Sequence, residues 1–167
     1  LQFGLMLFLL AAGLTLVFGI MNLINLAHGS LYMVGAYLVA TIANASGSFW
    51  LGLAGGIAAT AVVGAVLEMS VIRRLYQRNH LTQVLATFAL LLMANDGVRM
   101  IWGSQPINMP TPAGLGGPVE LLPGFSYPSY RLFIIAAGLL VALLLYLLIT
   151  RTRIGMQVRA GASNREM

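Results

Sequence analysis

Residues 13–37 read GLTLVFGIMNLINLAHGSLYMVGAY, and the reading of this stretch decides the fold. An apolar run meets Asn22, Asn25 and His28, passes Gly29 and Ser30, and turns apolar again. Polar side chains three residues apart share one face of a helix. In lipid such a face is expensive, so it belongs against a protein interior or a wet cavity. A polar, glycine-containing interruption between two apolar segments is how transporters build a broken helix around a substrate path.

The rest of the composition agrees with a membrane setting. The chain is 59% hydrophobic and 8% charged, where a soluble domain carries roughly a quarter charged residues. A soluble fold this apolar would expose large sticky patches, so an integral membrane protein is expected. No cysteine is present, which excludes disulfides and thiolate chemistry. The net charge of +5 comes from nine arginines and no lysine. Most of these arginines flank apolar segments, so membrane orientation explains them better than nucleic acid does. Leu1-Gln2-Phe3 does not open a signal peptide, and Arg165-Glu166-Met167 closes the chain inside a polar segment; the expectation is a piece of a longer protein.

Five apolar segments are expected to be helical, at about residues 3–22, 30–45, 49–69, 81–102 and 131–150. Four are long enough to cross a membrane; the segment 30–45 spans only about 24 Å as a helix and is read as a continuation of the interrupted region or as a half-helix. The fold class is therefore all-α: a polytopic transmembrane helical bundle with a broken helix near 22–29 and about five membrane segments. All six prolines fall between Gly103 and Tyr130, so that stretch is an extramembrane loop with room for short elements of its own. Arg73, Arg74 and Arg78 in 70–80, and Arg151, Arg153, Arg159 and Arg165 in 151–167, contrast with a loop 103–130 that has no arginine. The positive-inside rule then puts 70–80 and 151–167 in the cytoplasm and 103–130 outside.

Small residues recur every four positions at Gly52, Gly56, Thr60 and Gly64, and again at Ala11, Thr15 and Gly19, which predicts closely packed helix faces. For Asn22, Asn25 and His28 two roles are open: lining a path, or bonding the backbone groups freed by the break. One histidine with two amides is no metal site. Asp96 and Arg99 have the spacing of a same-face ion pair, and Glu68 is expected to pair with an arginine near the inner surface. Trp50 and Trp102 read as interfacial anchors. No phosphate-binding loop or metalloprotease motif occurs, and no catalytic set can be assembled.

The block Asn22-Leu23-Ile24-Asn25-Leu26-Ala27-His28-Gly29, within Gly13 to Tyr37, closely resembles the first block of the LivH-type permeases, the membrane subunits of branched-chain amino acid ABC importers. Glu68 with Arg73-Arg74-Leu75-Tyr76, Gln83 to Trp102, Gly103 to Pro128 and Arg151 to Met167 resemble the later parts of that family in order and spacing. The resemblance implies that residues 1–167 are the N-terminal part of one permease domain, with roughly the C-terminal two-fifths beyond it. It implies a path or helix-break site at Asn22, Asn25, His28 and Gly29. It implies an ATPase-coupling region including Arg159, Ala160, Ser163, Arg165 and Glu166. The partners it implies are a second, homologous permease subunit, cytoplasmic ATPase subunits that bind the ATP, a periplasmic substrate-binding protein and the bilayer of a bacterial inner membrane. The protein itself would carry no cofactor and no ATPase site. Leucine, isoleucine and valine are the implied substrates; urea or short amides are carried by related permeases. From the residues alone an ion-coupled secondary transporter, using Asp96 and His28, stays open.

Overall fold

The computed structural model describes residues 1–21, 23, 25–109, 112, 114–122, 125–152 and 155–156. Along these residues run α1 (Gln2–Met21), α2 (His28–Ser46), α3 (Phe49–Leu67), a π-helical turn at Glu68–Ile72, α4 (Arg73–Leu75), α5 (His80–Trp102), strands β1 (Pro118–Leu122) and β2 (Phe125–Pro128), and α6 (Ser129–Arg151). Helices spanning Gln2–Gly19, Phe49–Leu75, His80–Trp102 and Ser129–Arg151 are long and apolar enough to cross a membrane. The five expected segments are thus all helical, and α2 is the one that falls short of a span by this measure. The third segment runs further than expected: α3, the π turn and α4 continue to Leu75 over 27 residues, so Arg73 and Arg74 end a helix instead of lying in a loop.

The chain forms two compact units. One holds α1, the hairpin and α6; the other holds α2 to α5. In the first unit, Gly138 of α6 faces Leu5 of α1, where an added Cβ would lie 3.5 Å from the leucine Cβ. Ala11 and Thr15 of α1 are exposed, and the Thr15 hydroxyl donates to the Ala11 carbonyl at 2.8 Å. The proline-rich loop contains an antiparallel hairpin, with Pro118 opposite Pro128, Val119 opposite Tyr127 and a bulge between Glu120 and Leu122. Prolines are tolerated there because both strands are edges. The Ser129 hydroxyl donates to the carbonyls of Leu115, at 3.0 Å, and of Gly117, fastening the loop to the first residue of α6.

The second unit is organised by the α2–α3 hairpin. Gly47 makes the turn in a left-handed conformation (φ 66°), which only glycine adopts without strain. Ser48 then caps α3 by accepting from the Leu51 N–H. Beyond the turn the small-residue stripe of α3 lies on α2. A Cβ at Gly52 would sit 2.7 Å from the Ala43 Cα, and one at Gly56 would sit 2.7 Å from the Val39 Cα. One turn further, Gly35 faces the Thr60 hydroxyl, at 3.0 Å from its own added Cβ, and Gly64 faces Leu31. Each step of four along α3 is matched by four back along α2, so the stripe predicted at 52, 56, 60 and 64 lies on α2, backbone against backbone at Gly52 and Gly56 and through side chains at Thr60 and Gly64.

Helix α5 joins this pair at its own C-terminal end. The Trp102 indole N–H donates to Thr41 Oγ1 at 2.7 Å, and its ring lies 5.4 Å from that of Tyr37. Trp102 therefore clamps α5 to α2, a tertiary role beyond the anchoring expected of it. Gly56→Leu is expected to destabilise the α2–α3 hairpin by at least about 3 kcal/mol, because the overlap is with backbone that has no rotamer to change. Gly64→Ala, with only one atom at 4.0 Å, is expected to be nearly neutral. Thermal unfolding of the two variants in detergent checks the contrast.

Candidate functional site

Helix α1 ends at Met21 and α2 begins at His28; between them Leu23, Asn25, Leu26 and Ala27 lie outside any helix. Backbone freed in this way needs partners in a membrane. Asn25 supplies one. Its side-chain oxygen accepts from the Ala27 N–H at 3.0 Å, while its carbonyl accepts from the His28 N–H at 3.3 Å. The Ala27 carbonyl in turn accepts from the N–H groups of Ser30 and Leu31, both at 3.1 Å, starting α2. Asn25 is 5% exposed and Leu23 fully buried, packed with Ile72 and Leu75 and flanked by Val71, Ala86 and Leu90. Among the described residues, the Asn25 amide and the buried Leu23 hold the break.

Beside it opens a groove of about 390 Å³. Ala27, Ser30, Leu31 and Val34 form one wall. Val62, Val63, Val66 and Leu67 of α3 form the second, and Leu90, Met93 and Ala94 of α5 the third. Among these lining side chains only Ser30 carries a hydroxyl; the rest are aliphatic or thioether. The groove can accept a branched aliphatic group and offers little hydrogen bonding to a polar one.

The sequence-predicted residues divide. Asn25 serves the backbone, which is the second of its two readings. His28 is half-buried and Gly29 exposed, with no atom within 4 Å of where a Gly29 Cβ would be, and neither lines the groove. Asn22 and the coupling residues Arg159, Ala160, Ser163, Arg165 and Glu166 lie outside the described residues. After α6, Gly155 sits so close to Ile149, 2.6 Å from added Cβ to Cα, that no side chain fits. The apolar groove residues were not legible as a site, since valines and leucines on a membrane helix carry no local signal; only their convergence from three helices does.

The connection from α3 to α5 is polar and specific. Tyr76 donates its phenol to Glu68 Oε1 at 2.8 Å across the π turn, so Glu68 is bonded to a tyrosine and not to the arginine expected. Burial, the bond to Glu68 and its negative charge push the Tyr76 phenol up to about 12, against a weaker opposing pull from Arg73. Asn79 caps α5 by accepting from the Thr82 N–H at 2.8 Å. Gln83, 4% exposed, donates through Nε2 to the Leu75 and Arg78 carbonyls at 3.2 and 3.0 Å and leaves Oε1 buried without a hydrogen-bond partner. Asp96 and Arg99 are exposed on α5 and no ion pair joins them among the described residues. Groups of three or more metal-ligating side chains are absent among the described residues.

Two outcomes test this site. Asn25→Leu orphans a buried N–H and is expected to lower stability by about 1–3 kcal/mol, whereas Asn25→Ser keeps an acceptor and loses less; thermal melts of both decide. Tyr76 holds its proton more tightly when folded than an ordinary phenol of 10.0 does. Its stabilisation is therefore complete below pH 10.0 and lost as pH rises through about 12. The ultraviolet difference between the parent and Tyr76→Phe should titrate in that upper range, and Glu68→Gln should bring it down.

The sequence model of a family described as "Branched-chain amino acid transport system / permease component" matches residues 1–167. The high-affinity branched-chain amino acid transport system permease protein BraD of Pseudomonas aeruginosa is 26% identical over 170 residues, covering 95% of this chain and 55% of BraD. The corresponding permease protein LivH of Escherichia coli K12 is 29% identical over 112 residues, covering 62% of this chain and 36% of LivH. LivH of Salmonella typhimurium is 28% identical over the same length. The chain thus spans about half the length, or less, of these relatives. No solved structure matches.

Proposed function

The chain belongs to the branched-chain amino acid transport permease family, and from that premise we propose that it is a transmembrane subunit of an ABC importer carrying leucine, isoleucine or valine inward. Membership makes it a multi-pass membrane protein of transport, consistent with four helices that are long and apolar enough to span. The import step is driven by ATP bound on cytoplasmic partner subunits, and the substrate arrives on a binding protein outside. A second permease subunit completes the path. The inner membrane of a bacterium is the proposed location, with 70–80 and 151–167 cytoplasmic and 103–130 external by the arginine count.

The observation that carries the substrate reading is the groove beside the broken helix. Three walls of Val, Leu, Met and Ala match a branched aliphatic side chain, whose transfer from water gains about 1.5–3 kcal/mol when fully buried. Urea or a short amide has no branched aliphatic group to bury against the same walls, so it gains none of this transfer energy. An ion-coupled transporter needs carboxylates or unwound carbonyls at the path; Asp96 does not line the groove.

Uptake of labelled leucine by cells making the full-length gene product tests the proposal. Deleting the ATPase partner is expected to abolish uptake, and a protonophore that leaves ATP intact is expected to spare it. Val66→Trp, which fills the groove from a half-exposed position, is expected to cut uptake strongly at matched membrane levels. Uptake that survives loss of the ATPase and collapses with the protonophore would replace the importer by an ion-coupled carrier.

A further inference from the structure

A hydroxyl on a helix can turn back on the helix that carries it. Thr15, Thr41, Thr60, Ser70, Thr87 and Thr150 each donate to the carbonyl four residues earlier, at 2.6–2.9 Å. Ser30 does not. Its side chain makes no hydrogen bond among the described residues, although the residue is only 6% exposed. The cause is local. The residue four before it is Leu26, which lies outside any helix, so the break takes that carbonyl out of the helical ladder. The other buried polar side chains, Asn25, Gln83, Thr87 and Ser129, all bond backbone. Ser30 is a buried hydroxyl left over by the break, and it lines the groove.

This hydroxyl sits in the first turn of α2, the end of a helix where N–H groups lack helical acceptors and the dipole is positive. No side chain caps that end. Gly29, the residue before Ser30, has no packed neighbour within 4 Å of an added Cβ, so the backbone of the turn is open to approach. A positive helix end with an unpaired hydroxyl donor receives an anion and disfavours an ammonium. Beside it the walls given by α3 and α5, among them Val62, Val66, Leu90 and Met93, are apolar. The groove therefore joins an anion-binding head to an aliphatic body.

The geometry points to Ser30 and the first turn of α2 as the seat of the carboxylate of a branched aliphatic amino acid, with its side chain laid against Val66 and Met93. Size favours a small molecule over more of the polypeptide as the occupant. The walls run from Ala27 to Val34, from Val62 to Leu67 and from Leu90 to Ala94, which is about 6–10 Å each at the helical rise. A spanning helix would lie along its neighbours for about 30 Å. The volume of about 390 Å³ falls within the range of about 300–1,000 Å³ that small-ligand sites occupy. This inference deepens the transport reading above, on which it rests for the choice of an amino acid, and makes Ser30 the residue that orients it.

Ligand-dependent melting of the purified full-length gene product in lipid nanodiscs tests the site without any uptake. Leucine and 4-methylpentanoate keep the carboxylate and the branched chain, and both are expected to raise the unfolding temperature. Leucinamide and 3-methylbutylamine lack the carboxylate and are expected to leave it unmoved. Ser30→Ala, which removes only the hydroxyl, is expected to shrink the shift given by the two acids. Ser30→Cys, with any cysteine of the remaining length replaced by serine, is expected to react with a small methanethiosulfonate reagent, and saturating leucine to slow that reaction about tenfold. A thiol that does not react would show the groove filled by the remaining length and overturn the site. So would equal shifts from acid and amide, no shift from either acid, or an undiminished shift in Ser30→Ala. Uptake that depends on the ATPase, with no preference for the carboxylate here, would sink this site and leave the transport reading standing.

Discussion

Gly52 and Gly56 let the backbone of α3 lie on the backbone of α2, with Ala43 and Val39 directly opposite. Between membrane helices there is no hydrophobic drive, because lipid tails are as apolar as the side chains they would replace. Association then depends on close approach and on many small dispersion contacts, each lost over a gap of less than an ångström. With α2 held along its length by this contact, its first turn at His28–Leu31 is placed beside the C-terminal half of α3, and the groove acquires two of its walls. Helix α2 is less apolar than its neighbours and does not qualify as a span by itself; protein on its faces is what makes its position tenable.

The break before α2 separates two tasks that a reading of polar residues merges. Asn25 is polar because a backbone N–H at Ala27 needs an acceptor, and it is buried because Leu23 draws the segment into the cluster with Ile72 and Leu75. The open space beside it is lined by aliphatic residues from three elements. Polar groups hold the opening in place, and apolar groups give it its chemistry. A path for branched aliphatic amino acids suits this division, since the side chain carries the selectivity and the wall must not compete for hydrogen bonds.

The connection from α3 to α5 is tied in a different way. The π turn at Glu68–Ile72 shifts the helix register so that Glu68 and Tyr76 meet eight residues apart. Gln83 reaches back from α5 to the carbonyls at Leu75 and Arg78, the groups a helix end leaves unpaired. Departures of this kind from regular helix tend to mark places that move or bind. Here they adjoin Leu23, and so connect the turn before α5 to the break through packed side chains.

Much of the architecture was legible without coordinates. Apolar run lengths located five helices to within a few residues, the prolines located the stretch between α5 and α6 that is not helical, and the period-four glycines marked a close-packed face, because each of these is a local property written along one segment. The family block at 22–29 was legible for the same reason. What the stripe packs against, that Asn25, His28 and Gly29 stay out of the groove lining, that Glu68 bonds Tyr76 and that Trp102 closes α5 onto α2 were not, since each depends on tertiary contacts. Composition and order along the chain therefore determined the membrane class, the helices and the family. Only the tertiary structure decided where the groove lies and what lines it, because a cavity is a property of helices brought together and no single helix encodes it.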